Sequence, residues 1–168
     1  DASPTAASSV TFNVEFSESV SPVATSDFSL DVSGVTANIA SVADTGDSTN
    51  FTVTIDTVAG DGTLSIDFID GDNSALDGSG NDAADYSAGQ AYAVDNTAPS
   101  VAGITRNDAS PTAASSVTFN VEFSESVSPV ATGDFSLDVS GVTANIASVA
   151  DTGDSTNFTV TVDTISGS

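Results

Sequence analysis

Nine of the sixteen carboxylates in the first 107 residues fall in three turn-rich stretches, 17–27, 43–50 and 70–90: Glu18, Asp27, Asp44, Asp47, Asp70, Asp72, Asp77, Asp82 and Asp85. Two carboxylates ~5 Å apart repel by roughly 3 kcal/mol at an effective dielectric of ~20. Crowding several of them is therefore costly unless a cation reverses the sign of that term. A hard divalent ion does this, because Ca²⁺ takes about 6 to 8 oxygen ligands from carboxylates, amides and carbonyls. The candidate ligands are Glu18, Asp44, Asp47, Asp70, Asp72, Asp77, Asn81 and Asp82, joined by Asp95 and Asn96 in the connection that follows. Asp70, Asp72 and Ser74 open like an EF-hand loop, but Ala75 replaces the glycine needed at position six and no glutamate stands at position twelve. The competing reading is a solvated acidic surface that keeps the chain soluble in salt.

The rest of the composition narrows the chemistry. The chain carries 24 acidic residues against a single base, Arg106, for a net charge of −23. Such a surface repels nucleic acid and anionic membranes, which excludes nucleic acid as a partner and makes cations the natural ones. No apolar run approaches the ~20 residues of a membrane span, so direct membrane insertion is not expected. Without His, Cys or Lys there is no base or nucleophile poised near neutral pH, and the chain is not expected to be an enzyme. Glu15 and Glu18 would be the only conceivable glycosidase pair, and Glu15 alternates outward on a strand instead. Tyr86 and Tyr92 read as loop packing and core before they read as a sugar platform. The sequon Asn50-Phe51-Thr52 reads as a chance match at a strand start.

These loops must hang on strands. Val10, Phe12, Val14 and Phe16 alternate with polar residues, and the same beat returns at Phe28–Val32, Phe51–Ile55 and Leu64–Phe68. Residues 35–42 are less regular but β-branched. Tyr92–Val94 and Val101–Ile104 complete seven expected strands, with Gly103 at a bulge. Ser33-Gly34 reads as a tight turn and Ala59-Gly60-Asp61-Gly62 as a hairpin or crossover corner. Seven short strands in about 100 residues predict an all-β fold of immunoglobulin-like antiparallel sandwiches, with Phe12, Phe16, Phe28, Phe51 and Phe68 in the core.

Residues 1–61 recur as 108–168 with five differences, at Ser26/Gly133, Ile55/Val162, Val58/Ile165, Ala59/Ser166 and Asp61/Ser168. A direct repeat with a period of 107 residues predicts a tandem array. The chain reads as a window on a longer run. Residues 1–97 are expected to form one domain without its first strand, and 98–168 the start of the next without its last two strands.

The segments VDNTAPSV at 94–101, FSESV at 16–20 and 123–127, DFSL at 27–30 and 134–137, and DGSGND at 77–82 resemble bacterial immunoglobulin-like (Big) repeats of large surface adhesins and extracellular fibres. The resemblance implies that Asp95–Pro99 opens a domain and that Asp77–Asn81 precedes a last strand. It further implies a cell-surface or extracellular location, and a spacer role stiffened by calcium at acidic loops and interdomain junctions, with neighbouring copies of the repeat as partners. Two other classes stay open. One is the subunit of an extracellular filament, sheath or surface layer, a homopolymer assembled by β-strand exchange. The other is a calcium-dependent carbohydrate-binding module.

Overall fold

A computed structural model describes residues 2–167. The chain divides into two compact units, Asp1–Thr97 and Ala98–Ser168. Both are built from antiparallel sheets, and the fold is all-β apart from two short 3₁₀ turns, Thr25–Asp27 and Thr132–Asp134. Among the described residues no helix is long and apolar enough to cross a membrane.

The first unit holds β1 (Val10–Glu15), β2 (Val20–Ser21), β3 (Phe28–Asp44), β4 (Asn50–Phe68), β5 (Leu76–Asp77) and β6 (Tyr92–Val94). Its main sheet runs β1-β4-β3, with β6 on the far half of β4, while β2 and β5 form a separate ribbon. With β7 (Val101–Arg106), seven strands lie within the first 107 residues. Their composition differs from the expectation. Residues 28–32 and 35–42 merge into β3, and 51–55 and 64–68 merge into β4.

The glycines read as turns are bends inside these two strands. Gly34, Gly60 and Gly62 all have positive φ, and they face one another across the ladder where the register shifts between Ser33 and Val35. A Cβ at Gly34 would collide with the Asp61 carbonyl, one at Gly60 with the Gly34 carbonyl, and one at Gly62 with the Ser33 carbonyl. Only glycine lets the backbones approach this closely while bending.

The bend makes the sandwich. Phe51 and Phe68 sit near opposite ends of β4, and extended chain would hold them roughly 55 Å apart. Yet the Phe16 ring meets Phe51 at 5.6 Å and Phe68 at 5.0 Å, both edge-on. The strand must therefore double back, so that its near half with β1 and its far half with β6 form two layers. Between them lie Val10, Phe28, Val53, Ile55, Leu64 and Phe68, all buried.

The second unit contains β7, β8 (Val117–Phe123), β9 (Thr143–Asp151) and β10 (Asn157–Ser166) in the order β7-β8-β10-β9. β7 carries the expected bulge, a register shift between Val101 and Gly103. Phe135–Ser140 repeats the sequence of Phe28–Ser33 but is not a strand. The first copy pairs with Thr63–Phe68, and those partner positions have no counterpart among residues 98–168.

Candidate metal centre

The pairing of Phe28 with Phe68 sets the geometry of the site. One step beyond it, the Ile69 N–H donates to the Asp27 carbonyl at 2.7 Å. Asp27 and Asp70 are thereby brought to the same end of the β3–β4 ladder. Asp27 closes its 3₁₀ turn, its Oδ2 accepting the Ala24 N–H at 2.7 Å and its Oδ1 the Ser26 hydroxyl at 3.2 Å. Asp70 organises the following loop by accepting the Ser74 N–H at 3.0 Å and the Ala75 N–H at 2.8 Å. Ala75, at the position that rules out an EF-hand, is itself fully buried.

Asp27 and Asp70 are only 1% and 5% exposed. With Asp72 they present three carboxylate oxygens all within 4.8 Å of one another, the one such group of acidic side chains among the described residues. Oxygens on opposite sides of a bound calcium ion lie roughly 4.6–5.2 Å apart, so three oxygens within 4.8 Å of one another are close enough to reach one ion. The donor set is oxygen alone, which suits a hard cation. Burial pushes the Asp70 carboxyl up, but the N–H groups of Ser74 and Ala75 outweigh it, and its pKa is lowered overall. Asp70 is thus held as an anion beside two other carboxyl groups. The cluster can hold a metal ion.

Asp134 stands at the position of Asp27 in the second copy. Asp134 keeps the local turn, accepting the Ala131 N–H at 2.8 Å as Asp27 does from Ala24. It is exposed, whereas Asp27 is buried.

The other candidate ligands have separate places. Asp44 caps its own turn, accepting N–H bonds from Gly46, Asp47 and Ser48. Asp47 accepts from Thr49, Asn50 and the Asn50 amide. Asp77 accepts from Ser79, Asn81 and the Asn81 amide. These bonds to the ionised form hold all three carboxyls below the usual range. Glu18 and Asp82 line a groove beside β1. Asn96 bonds to Asp61 through its N–H and to the Gly60 carbonyl through its side chain, and Asp95 Oδ1 accepts the Thr97 N–H at 3.2 Å. Asp70 and Asp72 are therefore the only two of the ten candidate ligands in the three-carboxylate group, and Asp27 is its third member. Asp27 was visible in the sequence as part of the acidic loop set. Extending the Phe28–Phe68 pairing by one position sets Asp27 opposite Ile69, next to Asp70 in the chain.

No protein-family profile, curated protein or solved structure matches the chain.

Proposed function

We propose that the chain is a stretch of structural extender repeats from a bacterial cell-surface adhesin or fibre, and that calcium at Asp27, Asp70 and Asp72 stiffens the acidic end of the first unit. The observation that carries this reading is the pair of buried carboxylates joined by a third, in a chain whose single base is Arg106. Truncating or neutralising such a cluster is not needed if a divalent ion supplies the opposite charge. A 107-residue sequence period on an all-β fold, without the His, Cys or Lys that would serve as base or nucleophile near neutral pH, supports a role in length and load rather than in chemistry.

Small-angle scattering of the whole chain tests the extender role. In millimolar calcium the maximum dimension should be longer and the distribution of distances narrower than in chelator. Identical curves in the two conditions count against calcium as the stiffening element.

A further inference from the structure

Asp85 belongs to the acidic stretches yet lies outside the three-carboxylate group. Its Oδ1 accepts the Asp70 N–H at 3.2 Å, across 15 residues of chain. Beside this bond Phe68 and Tyr86 exchange two backbone hydrogen bonds, at 2.8 and 2.9 Å. Loop 70–85 is thus closed at its base, by the Phe68–Tyr86 bridge and then by Asp85 on Asp70. Asp70 joins this closure to the metal centre. Its N–H holds Asp85, while its carboxylate holds the Ser74 and Ala75 N–H groups. Ala75 lies in the core, and its carbonyl accepts the Ala83 N–H at 2.9 Å. We propose that Asp85 is a positioning residue for the cation: it keeps loop 70–85 closed so that Asp70 and Asp72 stay beside Asp27, and the bound ion fastens the same loop in return.

This role presupposes the cation proposed at Asp27, Asp70 and Asp72. Residues 70–85 carry five carboxylates, Asp70, Asp72, Asp77, Asp82 and Asp85, and no base. Closing the loop gathers these like charges, which opposes closure. A divalent ion reverses the sign of that term, and by linkage closure and ion binding then favour each other by the same factor. The ladder that ties the loop to β2 is only two pairs long, Val20 with Asp77 and Ser21 with Leu76. The contacts made by Asp70 therefore carry much of the loop's order.

Calorimetric titration of the whole chain with calcium chloride, and amide hydrogen exchange in calcium and in chelator, test this role. Asp85 is exposed, so its variants should fold. Asp85→Ala should bind calcium at least about fivefold more weakly than the parent chain, and Asp85→Asn, which keeps an acceptor oxygen, should recover most of that loss. The deficit of Asp85→Ala should persist at about 0.5 M salt, where the loss of a nearby charge alone is screened. Exchange at Ala75, Asp77 and Ala83 should be slower in calcium than in chelator, with Val53 and Leu64 unchanged. If the parent binds calcium but Asp85→Ala binds it equally well, or Asp85→Asn is as weak as Asp85→Ala, or exchange in the loop ignores calcium, the role of Asp85 is overturned and the metal centre stands. A parent chain that binds no calcium overturns the metal centre and the role of Asp85 together.

Discussion

The Asp61 carboxylate accepts the Thr97 hydroxyl at 2.7 Å, tying the last residue of the first unit to the glycine bend of β4. The same carboxylate accepts the N–H groups of Asn96 and Thr97. One acidic side chain thus closes the sandwich bend and fixes the path of residues 95–97.

Asp61→Ala should release that segment without unfolding the unit, since Asp61 is exposed and outside the core. Amide hydrogen exchange at Asn96 and Thr97 is expected to speed up, while exchange at Val53 and Leu64 stays slow. Unchanged protection at Asn96 and Thr97 would show that the connection is held by something else.

Acid should weaken the first unit in a defined window. The pKa of Asp61 is lowered by the Thr97 hydroxyl and then the Asn96 N–H, and that of Asp77 by the Asn81 N–H and side chain. A depressed folded-state pKa gives stability that is present above the unfolded value and lost as pH falls through the folded one. Urea midpoints should therefore be flat near neutrality and fall below about pH 4. Asp77→Asn should make that fall shallower. An acid limb that is the same in Asp77→Asn as in the parent chain would contradict the assignment to Asp77.

Glycine at the bend is a steric requirement. Gly34→Ala forces a side chain into the Asp61 carbonyl at a positive φ, and should cost about 2 kcal/mol or more. Gly46→Ala is the comparison, since its φ is also positive but nothing lies within 4 Å of its Cβ position. Denaturant melts should rank Gly34→Ala as clearly the more damaging of the two.

Phe68 joins the two layers, meeting Phe16 at 5.0 Å and Phe28 at 5.4 Å. Phe68→Ala should cost about 3–5 kcal/mol by leaving a cavity between them. It should also disturb the metal centre, because Asp70 follows two residues later. A thermal melt with and without calcium separates the two effects.

The sheet class was legible because alternation at Val10–Phe16 and Phe51–Ile55 depends only on one wet and one buried face. The joining of strands through Gly34 and Gly60–Gly62 was not, since glycine marks a turn and a bend alike, and only the strand opposite decides between them. At the acidic loops, composition located the charge but not its use. In Asp44–Asn50 and Asp77–Asn81 the mixture of Asp, Gly, Ser and Asn is also the chemistry of side chains that accept their own backbone N–H groups. Asp27, Asp70 and Asp72 come together only through the long-range ladder between Phe28 and Phe68.

Thermal unfolding of the whole chain in millimolar calcium and in chelator, alongside Asp72→Asn, tests the metal centre most directly. Asp72 is exposed, and Asp72→Asn removes one ligand charge while leaving the Ser74 and Ala75 N–H bonds to Asp70 in place. The expected result is a Tm higher by roughly 5 °C or more in calcium for the parent chain, with most of that rise lost in Asp72→Asn. A Tm that is the same in calcium and chelator, or an equal rise in Asp72→Asn, would contradict a cation held by Asp27, Asp70 and Asp72.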